Sequence, residues 1–182
     1  SAAFEQVFAF PLSNANSSDA ALITTVDGLR TAHINSAATP LRGVVLVEAY
    51  ALEPGASARL INVSARNYAG QGSETLIAGF VIAGNAPKRV LIRGVGPTLL
   101  DLGVPRVLSH PQLEVHTKIN DEDYLVAFND DWADEPGVAT ASATVFAFPL
   151  RADSTDAAVV LTLSAGRYTA HVTSAETETF GG

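Results

Sequence analysis

Residues 75–97 read TLIAGFVIAGNAPKRVLIRGVGP, and this stretch decides the fold class. It holds two apolar runs, at 76–82 and 90–92, with the turn-forming residues GNAP at 84–87 between them. Short runs that are rich in β-branched residues and bounded by glycine and proline are typical of β-strands. Because both runs are apolar on both faces, we expect two central strands that are covered on both sides.

The same pattern recurs along the rest of the chain, whereas helical periodicity is almost absent. Tyr168, Ala170 and Val172 alternate with Thr169 and His171, which predicts a strand with one wet face. The sequence therefore predicts an all-β protein, an antiparallel β-sandwich of jelly-roll or Ig-like type, with one helical turn at 98–102. The ten predicted strands are 22–26, 29–35, 44–52, 59–65, 75–83, 89–95, 112–116, 125–129, 158–163 and 167–173.

The composition limits the classes of function. Apolar residues make up 47% of the 182 residues and charged residues 16%, which indicates a globular chain, and no apolar run approaches the ~18 residues of a membrane span. A net charge of -8 with 11 scattered Lys and Arg excludes a nucleic-acid interface. The absence of cysteine removes disulfides, zinc-thiolate sites and thiol catalysis.

Part of the sequence occurs twice. The hexapeptide VFAFPL at 7–12 recurs without change at 145–150, and collinear matches follow it. The motif DAA at 19–21 matches 156–158, and TAHI at 31–34 matches TAHV at 169–172. An identical hexapeptide with collinear matches indicates an internal repeat. We predict that the two copies of the hexapeptide adopt the same conformation.

The repeat predicts the domain organisation: a partial repeat at 1–52, a linker at 53–57 and a main β-sandwich module at 58–182. In the first copy a clear strand at 44–50 follows residues 31–34, whereas the second copy ends at Gly182, so we expect the main module to lack its last strand. An incomplete sandwich needs a strand from elsewhere. We predict exchange between chains, with insertion into the same chain as the alternative. The predicted assembly strand comprises Val44, Val45, Leu46, Val47, Ala49 and Tyr50, and the predicted acceptor edge comprises Tyr168, Ala170 and Val172.

Six further runs occur in order along nearly the whole chain: RLINVSAR at 59–66, LIAGFVIAG at 76–84, KRVLIRGVGPTL at 88–99, LGVP at 102–105, PQLE at 111–114 and NDDW at 129–132. Together they resemble a repeat of large secreted and surface proteins of verrucomicrobial-type bacteria. The resemblance implies a tandem β-sandwich module of an extracellular or cell-surface protein, whose function is largely uncharacterised. The absence of a methionine before Ser1 indicates either a removed signal peptide or a trimmed fragment.

An acidic loop is the one cofactor site that the sequence suggests. Calcium takes six to eight oxygen ligands, and a short loop with several carboxylates can supply them. The loop lacks the spacing of an EF-hand, and the alternative is a turn in which Asp caps backbone amides while Trp132 covers a core edge. The candidate calcium ligands are Asn129, Asp130, Asp131, Asp134 and Glu135.

No motif predicts catalysis, and we expect no enzyme and no catalytic residue. The histidines have no metal-binding spacing, no serine lies in Gly-x-Ser-x-Gly, and Pro97 removes an amide donor that a phosphate loop would need. Arg66 and Arg93 flank apolar strands and could bind a carboxylate or a glycan, although ion pairs at strand ends are the more common role.

The sequence thus favours a structural subunit of an extracellular filament, matrix or surface stalk, assembled by strand sharing between copies of itself. The alternative function is a glycan-binding or adhesive accessory module of a larger secreted protein, with a polysaccharide as its partner. A third interpretation is an excerpt of a long tandem protein.

Overall fold

The computed structural model describes residues 20–26, 28, 30–35, 45–50 and 62–175, and the chain divides into two units, Ser1–Val63 and Ser64–Gly182. The described residues of the first unit have no regular secondary structure and are exposed. The strands predicted at 22–26, 29–35, 44–52 and 59–65 are therefore not formed where the structure describes them. The predicted match between the two hexapeptides involves residues 7–12, which lie outside the described residues.

The second unit is mostly β-strand, as predicted. Two antiparallel sheets contain all six strands of the described residues, with the order β1-β6-β3-β4 in one sheet and β2-β5 in the other. The strands are β1 (Leu76–Ile82), β2 (Lys88–Gly94), β3 (Pro111–Ile119), β4 (Glu122–Asn129), β5 (Ala157–Leu163) and β6 (Gly166–Ser174). The predicted helical turn is the 3-10 helix Pro97–Leu102, and the prediction of an all-β sandwich is confirmed.

The β3–β4 hairpin follows directly from its turn. Asn120 and Asp121 connect the strands with φ of 53° and 65°, the two positive values that a tight type I′ turn requires. The pairing includes a bulge between Val115 and His116. Beyond the bulge Asp123 lies opposite Lys118, which places it near His116 on the same face of the sheet.

The core lies between the two sheets. Leu113 and Val115 of β3 are 0% exposed, and they pack with Ala157 and Val159 of β5 and with Ala170 of β6. We call the face of the four-stranded sheet that carries these residues its inner face. Its other face, the outer face, carries the alternate residues of each strand.

A third layer covers the far side of the two-stranded sheet, and the sequence did not predict it. The helix α1 (Val138–Thr144) and the segment after it bring Val138 and Leu150 against Ala158. Gly137 precedes α1 with φ of 88°, a conformation that glycine adopts without strain. No helix in the described ranges is long and apolar enough to cross a membrane.

The positions of β1 and β2 correct one prediction. Both are expected to be central strands covered on both sides, but β1 is an edge strand with Ile77 and Val81 58% and 69% exposed, and β2 pairs with β5 alone among the described strands. The acceptor edge is also corrected, because β6, which carries Tyr168, Ala170 and Val172, is paired on one side with β1 and on the other with β3. An interior strand has no free backbone groups with which to accept another strand.

Candidate functional site

Two histidines meet on the outer face of the four-stranded sheet. Glu114 of β3 lies directly opposite His171 of β6, and His116 lies two residues further along β3 on the same face. The imidazole rings of His116 and His171 stack with their centroids 4.6 Å apart and their planes at 23°. We call Glu114, His116, Asp123 and His171 the histidine cluster.

Two carboxylates hold His116 in place. Its Nε2 lies 2.9 Å from Oε2 of Glu114, and its Nδ1 lies 2.9 Å from Oδ2 of Asp123. The side chain of His116 is only 13% exposed, whereas those of Glu114 and Asp123 are 41% and 53% exposed. A mostly buried ring that is held at both nitrogens is pre-oriented. The two carboxylates that hold it are themselves exposed to solvent.

The pKa values of the two rings are shifted in opposite directions. Burial lowers the pKa of His116, but hydrogen bonds to Glu114 and Asp123 and the charges of these carboxylates outweigh it, so the pKa of His116 is raised from its ordinary value. Burial and then the neighbouring His116 lower the pKa of His171. The cluster therefore favours one cationic ring between two carboxylates, with a neutral ring stacked upon it.

The sequence pattern does not predict this cluster. His116 and His171 have no metal-binding spacing, because they belong to different strands and come together only through the register of β3 with β6. One signal was present, because Glu114 and His116 are separated by one residue in a predicted strand and must share a face. In the described part of the chain, the one group of three or more acidic, His or Cys ligand atoms within 4.8 Å of one another is Glu114, His116 and His171.

The acidic loop is built as a turn. Asn129 is buried, its amide nitrogen donates to the carbonyl of Asp131 at 2.8 Å, and its Oδ1 accepts from the backbone amide of Ala158 at 2.8 Å. Oδ1 of Asp131 caps the backbone amide of Ala133 at 3.2 Å, at the start of the 3-10 helix Trp132–Asp134. These bonds match the turn alternative.

The carboxylates of the predicted calcium site do not converge. Asp130, Asp131, Asp134 and Glu135 all lie in the described range, yet no three of these residues bring a carboxylate oxygen each within 4.8 Å of one another. Calcium binding at this loop stays a prediction that would require the loop to rearrange.

A buried carboxylate, which no sequence motif predicts, organises the neighbouring loops. Asp156 is 0% exposed, and it accepts hydrogen bonds from the backbone amides of Gly96 at 2.7 Å and of Thr98 at 3.3 Å. The hydroxyls of Thr98 and Ser154 also donate to its Oδ2. Four donors around one carboxylate tie the 94–98 loop to the start of β5, which is a structural role.

Arg93, one of the two arginines considered for glycan binding, is engaged within the module, and so is Trp132. The guanidinium of Arg93 lies 4.3 Å from the ring centroid of Phe148 and donates to the Phe148 carbonyl at 2.7 Å. Burial lowers the pKa of Arg93, while the charge of Asp156 opposes that shift. The indole N–H of Trp132 donates inward, to the Arg151 carbonyl and to Oγ of Ser154, both at 3.2 Å. Arg66 is exposed.

The two-stranded sheet leaves part of the inner face uncovered. Its strand β5 packs over β3 and β4, while β2 packs over β3 and approaches β6, where Gly94 lies against Val172. Among the described strands β2 pairs with β5 alone, so its other edge, which we call its free edge, points towards β1. On the inner face of β1, Ala78 is exposed, and Phe80 is only half-buried although it stacks on Tyr168 at 5.5 Å.

The predicted assembly residues, 44–50, which we call the donor segment, are apolar and unburied where described. Val45, Leu46 and Val47 are 61%, 73% and 59% exposed, and Tyr50 is 42% exposed with its hydroxyl 2.9 Å from Oε1 of Glu48.

Neither a scan of protein-family models nor searches of curated proteins and of solved structures gave a match to this chain.

Proposed function

We propose that this chain is a structural module that associates with copies of itself by strand addition. The observation that carries the proposal is the uncovered inner face of β1 beside the free edge of β2. A third strand paired with β2 would lie over β6 and β1, where Ala78, Phe80 and Tyr168 are accessible. Strand addition uses main-chain hydrogen bonds for affinity and alternate side chains for specificity.

The donor segment has the length and chemistry that this place requires. It contains seven residues, as does β2, so that a fully paired strand would span about 23 Å. In an extended conformation Val45, Val47 and Ala49 point to one side and can cover the inner face. Burial of a Val side chain contributes about 1.5 to 3 kcal/mol, so Val45 and Val47 together correspond to a factor of about 10² to 10⁴ in affinity.

The partner that we propose is a second copy of this chain, because the repeat gives each copy both donor and acceptor chemistry. Head-to-tail exchange between copies generates an open filament. We further propose that the module acts outside the cell, as a filament, matrix or stalk subunit, and the resemblance to repeats of secreted and surface proteins supports this.

The test is the substitution Val47→Pro in the full chain. Proline removes a backbone N–H and fixes φ at about −65°, which disfavours the extended conformation of a strand paired along β2. Residue 47 has no regular secondary structure in the described chain, so the module itself should stay folded. The matched control is Val63→Pro, because Val63 is also without regular structure and is 72% exposed. Sedimentation velocity and electron microscopy would measure the assembly.

We expect the wild-type chain and Val63→Pro to form filaments, and Val47→Pro to associate at least about 100-fold more weakly. A peptide of residues 44–50 added in excess should block growth in the wild type. Insertion within one chain would instead give a monomer whose unfolding temperature falls with Val47→Pro. Filaments of Val47→Pro indistinguishable from the wild type would refute the proposal.

A further inference from the structure

We infer that Glu114, His116 and His171 bind one divalent transition-metal ion, for which Zn²⁺ is the representative probe. The three side chains lie on the outer face of the four-stranded sheet, on the adjacent strands β3 and β6. This inference is independent of strand addition, which concerns the inner face and the edge of β2.

The donor set selects the class of metal. Two imidazole nitrogens and one carboxylate oxygen suit zinc and similar borderline ions, whereas calcium and magnesium prefer oxygen ligands alone. Three protein ligands leave a fourth position for water or an external group. The site should therefore bind Zn²⁺ or Co²⁺ and should not respond to Ca²⁺.

The spacing of the donor atoms is close to what such an ion needs. With bonds of about 2.0 to 2.1 Å, a tetrahedral ion holds its ligand atoms about 3.3 Å apart. Nε2 of His116 and Oε2 of Glu114 are 2.9 Å apart, and all three donor atoms lie within 4.8 Å of one another. The ring of His171 stacks on that of His116, and its Nε2 lies 3.1 Å from Oγ1 of Thr169, so metal binding requires the half-buried His171 to exchange that contact for the ion by a side-chain rotation.

Asp123 orients the central ligand. Its Oδ2 lies 2.9 Å from Nδ1 of His116, and an N–H at that nitrogen leaves Nε2 with the lone pair that a metal requires. Carboxylates in this outer position fix the tautomer of metal-bound histidines and raise their basicity. The cluster thus has the carboxylate–histidine–metal arrangement, with Glu114 and His171 completing the donor set.

The cluster also carries negative charge beside its central ligand. Oε2 of Glu114 and Oδ2 of Asp123 each lie 2.9 Å from a ring nitrogen of His116. Two carboxylates beside one ring supply the negative charge that balances a divalent ion.

The test is isothermal titration of the chelator-treated full chain with ZnCl₂. We expect one site per chain, weakened by about 100-fold or more in His116→Ala, His171→Ala and Glu114→Gln, and by about 10- to 100-fold in Asp123→Asn, as is usual for an outer-sphere partner. Co²⁺ should give a visible absorption band that the same variants lose. Excess Ca²⁺ should leave the Zn²⁺ titration unchanged.

The internal repeat supplies a matched control. His33 is the counterpart of His171 in the first copy and is exposed, so His33→Ala should bind Zn²⁺ as the wild type does. Circular dichroism checks the fold of each variant, and the near-isosteric Glu114→Gln keeps the test decisive if a histidine variant does not fold. No Zn²⁺ binding by the wild type, equal loss in His33→Ala, or undiminished binding in folded Glu114→Gln and His171→Ala would overturn the inference.

Discussion

Replacing the buried Asp156 with Asn should destabilise the module strongly. The carboxylate accepts from four donors, the amide and hydroxyl of Thr98 together with the Gly96 amide and the Ser154 hydroxyl. An Asn side chain keeps one acceptor oxygen and turns an NH₂ group towards the remaining donors. An amide oxygen in the Oδ1 place leaves the hydroxyls of Thr98 and Ser154 without their acceptor, and one in the Oδ2 place leaves the Gly96 amide without its acceptor, in a site that is 0% exposed.

Each hydrogen bond to a charged group contributes about 1.5 to 3 kcal/mol, so the loss of one or two bonds costs about 1.5 to 6 kcal/mol. Asn also avoids the desolvation of a buried charge, so the expected loss in the free energy of unfolding is roughly 2 to 3 kcal/mol, or about 8 to 12 °C in Tm. Urea unfolding of the full chain can follow the single tryptophan, Trp132, whose backbone amide donates to the Asp156 carbonyl at 2.7 Å.

The matched control is Asp153→Asn, the same chemical change at an exposed position three residues away, which should stay within about 0.5 kcal/mol of the wild type. If Asp156→Asn unfolded at the same urea concentration as Asp153→Asn, the carboxylate would not be the acceptor that holds these loops together.

Three other outcomes follow from the structure. Gly96→Ala should lower the free energy of unfolding in urea by about 2 to 4 kcal/mol, because a Cβ at this position would lie 2.1 Å from the Leu108 carbonyl oxygen. A loss below about 1 kcal/mol would contradict that packing. Phe146→Gly should stabilise the module by up to about 1 kcal/mol, because Phe146 is 92% exposed with φ of 57°, and a lower Tm would show that its ring makes a contact. Zn²⁺ at about 100 times its Kd should raise Tm by about 10 °C in the wild type and not in His171→Ala, and equal shifts in both would place the ion elsewhere.

The strands of the module could be predicted because their signal is local. Apolar β-branched runs bounded by glycine and proline located β1 and β2 to within one or two residues at each end. Their positions in the sheets could not be predicted. A run such as Leu76–Ile82 is apolar on both faces, and that pattern does not distinguish a central strand from an edge strand that another chain covers. The helix α1 was missed since Ser, Thr and Ala alternate through it, and only Val138, Ala141 and Ser142 mark its buried side.

The functional residues were harder to predict for a different reason. The carboxylates of the acidic loop are adjacent in sequence, which suggests a metal site, yet neighbouring side chains in a turn point apart, and Asp131 caps the backbone amide of Ala133. His116 and His171 are 55 positions apart in sequence and meet only because β3 and β6 pair in one register. A shift of that register by one residue would turn His171 to the other face.

The two proposals use opposite faces of one sheet, which makes them separable. A metal at the histidine cluster would connect β3 to β6 from the outer face, while a donor strand would pair with β2 and cover β1 from the inner side. Both faces meet in β6, where Ala170 lies in the core and His171 lies in the cluster. Because adjacent residues of a strand point to opposite faces, a substitution at His171 leaves the inner face intact. A substitution at Val47 changes none of the metal ligands of the histidine cluster. His171→Ala should therefore abolish the rise in Tm on Zn²⁺ binding and preserve the filaments. Val47→Pro should abolish the filaments and preserve the rise in Tm.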